Sequence, residues 1–103
     1  MTDRRKIAIA TGTRADWGLL SGIARALSAR DDCEVTILAT NMHLSPRYGN
    51  TISEIIADGF TDPVRIPMPD AADSDTSTVR AMAVCMTGMA DELSRLRPDL
   101  LVI

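Results

Sequence analysis

Gly12, Thr13 and Arg14 are the residues best suited to chemistry, because they separate a short apolar run, residues 7–10, from a segment with helical periodicity. A strand, a glycine turn and a helix start bring unpaired backbone N–H groups and a positive helix end to one place, which suits an anion. An arginine there adds a charged, bidentate contact to a phosphate. We therefore predict that these three residues bind a phosphate group. The alternative is that Gly12 is only a turn and Arg14 a solvated residue paired with Asp16.

Two elements must position this loop. The run at residues 7–10 is short, β-branched at alternate positions and followed by glycine, which favours a buried strand. The segment after the loop predicts a helix, with Asp16 capping or charging its first turn. Its apolar stripe is expected at Leu19, Leu20, Ile23, Ala24 and Leu27.

The rest of the chain continues this alternation. A second strand is predicted at residues 34–39, and a loop at 40–48. Thr51 and Glu54 have the spacing of a capping box for a second helix, which Gly59 would end. The short run 63–67 begins and ends with proline, so a third strand is expected at a sheet edge. An Asp-rich loop at 70–77, a helix from Val79 to Leu96 and an apolar strand at 100–103 follow.

This order predicts an α/β fold, a Rossmann-like three-layer parallel sheet with strand order 3-2-1-4. Ligands bind such sheets where the chain reverses direction, here beside the carboxyl end of the first strand. Gly12 to Arg14 are expected there. His43 follows the second strand at the same edge, so His43 and Asp16 are candidate substrate contacts. A structural hydrogen bond is the alternative for His43.

Composition narrows the classes of function. The 103 residues allow one domain at most, and a net charge of −3 with three aromatic residues argues against nucleic acid as a partner. The sequence has one histidine and unclustered cysteines at 33 and 85, so we expect no metal site and no disulfide. Because the sequence contains neither an apolar run of about 20 residues nor a signal peptide, we expect no membrane association and a cytoplasmic protein.

The loop sequence also separates classes of phosphate ligand. A dinucleotide site would need Gly-x-Gly-x-x-Gly and an acidic residue after the second strand, but that strand ends Ala39-Thr40-Asn41. A P-loop would need Gly-Lys-Ser/Thr before the helix. A nucleotide or nucleotide-sugar site without metal or cofactor is therefore expected.

Three segments carry a resemblance to a known family: TGTRADWG at 11–18, TNMHL at 40–44 and YGNT at 48–51. Together they resemble the N-terminal domain of the hydrolysing UDP-N-acetylglucosamine 2-epimerases, and the resemblance extends over essentially all 103 residues. Two positions depart from the family pattern: Trp17 stands where tyrosine is common, and Asn41 where glycine is common.

The resemblance implies a UDP-sugar substrate and a two-domain, GT-B-like homo-oligomer, dimeric or tetrameric. It implies anti-elimination of UDP through a 2-acetamidoglucal, then water addition to give N-acetylmannosamine for sialic and related nonulosonic acids. In the family the carboxylates that move the C2 proton follow the fourth strand. Residues 1–103 are thus expected to be an N-terminal fragment of the N-terminal domain, without catalytic residues and inactive alone. The alternatives are the N-terminal half of a GT-B glycosyltransferase and a flavodoxin-like interaction module that docks through its fourth strand.

Overall fold

A computed structural model of the protein describes residues 4–70 and 75–103, with the side chain of residue 75 left out. Two short 3-10 turns, Asn41–Leu44 and Pro46–Tyr48, follow the second strand. The strands and helices are β1 (Arg5–Thr11), α1 (Arg14–Ser28), β2 (Cys33–Thr40), α2 (Ile52–Ala57), β3 (Val64–Ile66), α3 (Asp75–Leu96) and β4 (Leu100–Val102).

The four strands form one parallel sheet in the order β3-β2-β1-β4, which confirms the predicted topology. In the centre of the sheet Ile9 is in register with Ile37 of β2 and Val102 of β4. β3 pairs with only the last three residues of β2 and lies at the edge, as its flanking prolines predict. The carboxyl ends of β1 and β2 therefore lie side by side, at Thr11 and Thr40.

The two faces of the sheet bury separate apolar clusters, because successive strand residues point to opposite sides. Ile7, Ile9 and Ile37 pack with residues of α1 and α2. Ala8 and Leu38 lie on the opposite face, which α3 covers. Cys33 belongs to the first cluster, and Cys85 packs against the second. The two thiols are free.

The buried face of α1 matches the predicted stripe in part, since Ala24 is buried and Leu20 and Leu27 pack against the core. Leu19 and Ile23 were expected inside, but they are 81% and 47% exposed. The buried residues are Trp17, Ser21 and Ala24, again at helical spacing. Trp17 is the largest side chain on the helix, and burying it turns the helix so that Leu19 and Ile23 face outward.

Trp17 joins α1 to the segment after α2. Its ring packs edge-on against Phe60, with centroids 5.4 Å apart, and its Nε1–H donates to Asp58 Oδ2 at 2.8 Å. Trp17→Phe keeps an apolar ring and removes this hydrogen bond, so we expect the free energy of unfolding to fall by about 1–2 kcal/mol. Urea unfolding followed by circular dichroism measures it.

Arg25→Ala is the matched control for that change, because Arg25 also pairs with Asp58, at 3.2 Å, but across an exposed contact. An exposed pair of this kind contributes about 0–1 kcal/mol. Equal losses in the two variants would show that the partly buried hydrogen bond of Trp17 does not stabilise the position of α1.

The first turn of α2 overturns the predicted capping box. The Thr51 hydroxyl is hydrogen-bonded to His43 Nδ1 at 2.9 Å instead of capping the helix. Glu54 accepts from Arg14 Nε at 3.1 Å instead of reaching back to the helix start. Both side chains thus bond residues outside their own helix, His43 in the turn after β2 and Arg14 at the start of α1.

The chain between β3 and β4 is more helical than predicted. α3 begins at Asp75, four residues before the predicted start at Val79. The predicted loop at 70–77 is therefore partly helix, and its residues 71–74 lie outside the described part of the chain. β4 is held at its start by Asp99, whose N–H donates to the Lys6 carbonyl at 2.7 Å and whose Oδ2 accepts from the Lys6 N–H at 2.8 Å.

Candidate phosphate-binding loop

Residues 11–14 form the loop that connects β1 to α1, and hydrogen bonds with the first turn of α1 hold this loop in place. Thr13 is the N-cap of α1, and its hydroxyl accepts from the Asp16 N–H at 3.1 Å. Asp16 Oδ2 in turn accepts from the Gly12 N–H at 3.3 Å. The predicted role of Asp16 at the helix start is therefore confirmed. Because the Asp16 carboxylate already accepts a hydrogen bond from the Gly12 N–H, a bound anion would have to share this hydrogen bond or replace it.

Gly12 keeps the surface of the loop open. The positive-φ glycines of the described chain are Gly49 and Gly59, so the turn itself does not require glycine at position 12. A Cβ atom there would lie 3.6 Å from Asn41 Cβ and 3.8 Å from Asp16 Oδ2. Glycine thus leaves room between these two side chains, through which a ligand can come close to the backbone.

Arg14 is the first residue of α1 and is highly exposed. It pairs with Glu54 of α2 and not with Asp16, and its side chain is 77% accessible. The contact with Glu54 uses Nε, so the two Nη groups stay available for a bidentate contact with an anion. Because an exposed ion pair is worth about 0–1 kcal/mol, a ligand can redirect the guanidinium at little cost.

The loop residues face two different hollows. Arg14 borders one of about 390 Å³ between α1 and α2, together with Trp17 and Glu54. Asp16 borders another of about 280 Å³, beside Leu20 and Ile103. The second hollow lies between α1 and the end of β4, where the switch-point crevice was expected. The loop is thus at the predicted edge of the sheet, but Arg14 borders the hollow between α1 and α2 and not the crevice beside β4 where it was expected, because its guanidinium pairs with Glu54 of α2.

His43 lies beneath the loop and is fully buried. Its Nε2 is 2.9 Å from Thr11 Oγ1, and its Nδ1 is 2.9 Å from Thr51 Oγ1. Burial lowers the pKa of His43 below its usual value of 6.5, an effect that the nearby charges of Asp16 and Glu54 partly oppose. The neutral ring can satisfy both hydroxyls, and this geometry favours the structural alternative over direct contact with a substrate.

Asn41 is a neighbour of the loop that sequence reasoning did not assign to the site. Its φ of 54° lies in the left-handed region, where asparagine is tolerated better than most residues. The next residue, Met42, donates its N–H to the Gly12 carbonyl at 2.9 Å. The turn after β2 therefore holds the loop after β1. The departure from a common glycine at position 41 was the one available signal.

Residues 4–70 and 75–103 contain no group of three or more histidine, cysteine or acidic side chains placed to hold a metal ion. Within the same ranges no helix combines the length and apolarity needed to cross a membrane.

The chain is similar in sequence to proteins named as 2-epimerases. The chain is 35% identical over 99 residues to the hydrolysing UDP-N,N'-diacetylbacillosamine 2-epimerase of Legionella pneumophila, a match that covers 96% of the chain. It is also 35% identical over 100 residues, 97% of the chain, to the hydrolysing GDP/UDP-N,N'-diacetylbacillosamine 2-epimerase of Campylobacter jejuni. The predicted resemblance to the 2-epimerases is confirmed.

The match covers only part of these 2-epimerases, since the chain spans about a quarter of each, 26% in both cases. A UDP-N-acetylglucosamine 2-epimerase of Neisseria meningitidis serogroup B is 32% identical over 56 residues, which is 54% of the chain and 15% of that relative. No protein-family model matches the chain. The parallel sheet is consistent with a Rossmann-like piece of a larger epimerase.

Proposed function

We propose that this chain is the first part of the N-terminal domain of a hydrolysing sugar-nucleotide 2-epimerase. The reaction would convert UDP-N-acetylglucosamine, or a related 2-acetamido sugar nucleotide, and water into UDP and the free 2-epimeric sugar. The observation that carries this proposal is the 35% identity to two hydrolysing 2-epimerases over 96% and 97% of the chain. The free sugar would serve the synthesis of sialic or related nonulosonic acids.

The loop at the end of β1 would act on the leaving diphosphate. When the C1–O bond breaks by anti-elimination, negative charge grows on UDP, and fixed donors lower the energy of that transition state. The backbone N–H groups at the start of α1 and the free Nη groups of Arg14 are such donors. Thr13 would hold the loop in shape through its bond with Asp16.

Proton transfer at C2 is the other chemical step of the proposed reaction. We assign it to carboxylates outside residues 1–103, and the 103-residue chain alone would be inactive. The aspartates between positions 70 and 75 are not assigned to this step. We further propose that the complete protein is a homo-oligomer in the cytoplasm.

The proposed reaction has two candidate sugars. The two relatives at 35% identity are named for N,N'-diacetylbacillosamine, and the Neisseria relative for N-acetylglucosamine. Both sugars carry a 2-acetamido group, which the 2-acetamidoglucal intermediate requires. Comparing kcat/KM for the two UDP-sugars decides between them.

The test of the reaction is product analysis with the complete protein in H₂¹⁸O and, separately, in D₂O. We expect equal amounts of UDP and free 2-epimeric sugar. The sugar should carry ¹⁸O at C1 and deuterium at C2, and UDP should carry no label, because elimination breaks the C1–O bond and water adds afterwards. The 103-residue chain is the control and should give no product.

Other outcomes of this test would support the alternatives. Transfer of the sugar to an acceptor without change at C2 would identify a GT-B glycosyltransferase. The interaction module is favoured by the exposure of Leu100 and Leu101 on β4, at 55% and 38%. Absence of any turnover together with a stable, ligand-free assembly through that strand would make it the better assignment.

A further inference from the structure

His43 links two segments that are far apart in the sequence. Thr11 is 32 residues before it and Thr51 eight residues after it, and both hydroxyls contact the buried ring at 2.9 Å. Thr11 directly precedes Gly12, the start of the candidate phosphate loop. Thr51 is the N-cap of α2, whose residue Glu54 holds Arg14. The ring thus connects the loop to the helix that carries the partner of its arginine.

The contact with Thr51 is made at a cost to α2. A threonine N-cap that bonds its own helix stabilises that helix. Thr51 instead directs its hydroxyl to His43. The contact with Thr11 lies at the other ring nitrogen, so each nitrogen serves one segment. Removing either contact leaves a buried polar group without its partner.

We propose that His43 is a positioning residue that fixes the phosphate-binding loop through Thr11 and does not itself touch the ligand. The inference rests on the proposed function. Its physical reason is that Thr11 sets the path of the chain into Gly12, Thr13 and Arg14. A loop free to move by a fraction of an ångström presents its amides to the diphosphate less well.

The two ring nitrogens allow a test that separates positioning from general stabilisation. A glutamine side chain places its amide near the position of the histidine Nε2, and an asparagine places its amide near that of Nδ1. His43→Gln therefore keeps the contact with Thr11, while His43→Asn keeps only the contact with Thr51. Thr11→Val and Thr51→Val remove the same two contacts from the other side.

The experiment measures the affinity of the complete protein for UDP by calorimetry, with the melting temperature of each variant measured in parallel. We expect His43→Asn and Thr11→Val to weaken UDP binding about tenfold. His43→Gln and Thr51→Val should stay within about twofold of the native protein, although they too lose stability. Thr11→Ser, which keeps the hydroxyl, should restore native binding and covers the case in which a histidine variant fails to fold.

The outcomes separate the two proposals. Binding that follows the Thr11 contact and not the melting temperature supports positioning by His43. Equal affinity in all folded variants, or losses that follow the melting temperature alone, overturns it and leaves the proposed function intact. A native complete protein that binds no UDP overturns both.

Discussion

Arg14→Ala is expected to lower kcat/KM of the complete protein for its UDP-sugar about a hundredfold, the scale for losing a contact to developing charge. KM should rise and kcat should fall, because the free Nη groups can bind the diphosphate in the ground state and more strongly as it departs. Arg14→Lys should recover only part of the loss, since an ammonium gives a point charge and no planar fork. Steady-state kinetics with release of UDP as the readout measures all three proteins.

Arg25→Ala is the control, because Arg25 is also an exposed arginine of α1 that pairs with a carboxylate, Asp58. It should change kcat/KM by less than about twofold, as expected for an exposed pair away from the loop. Glu54→Gln tests whether the ion pair between Arg14 and Glu54 is needed for activity. The substitution weakens that pair and should leave kcat/KM near the native value. Native kinetics in Arg14→Ala would remove this residue from the site.

His43 should make the folded state less stable as the pH falls below about 6.5. Burial lowers its folded-state pKa, so between that lower value and the unfolded value of 6.5 the unfolded chain binds more protons. The contribution of His43 to the free energy of unfolding therefore has its full value above pH 6.5 and decreases as the pH drops through this window. A single titrating group gives a slope of at most about 1.4 kcal/mol per pH unit.

The measurement is urea unfolding at a series of pH values, for the native protein and for His43→Gln. The difference between the two isolates His43, since all other titrating groups are shared. We expect the native protein to lose stability on acidification faster than the variant. Parallel curves would mean that the ring accepts a proton in the folded state as easily as in the unfolded state, which its burial between two hydroxyls argues against.

The sequence alone determined the architecture and the place of the loop. Short β-branched runs, helical spacing and proline positions are local signals, and they led to four parallel strands in the order 3-2-1-4. The same signals placed Gly12 to Arg14 between β1 and α1. The similarity to the 2-epimerases also came from short segments of sequence in order, which the comparisons confirmed.

The tertiary structure decided which side chains meet. Thr51 and Glu54 have the spacing of a capping box, but their partners are His43 and Arg14, the latter 40 residues away. Local spacing cannot reveal a competitor from another element, so the capping prediction was wrong. The buried face of α1 was set in the same way, by Trp17 reaching Asp58 across 41 residues. Periodicity shows that a helix has an apolar side, but packing between distant segments selects the residues that are buried.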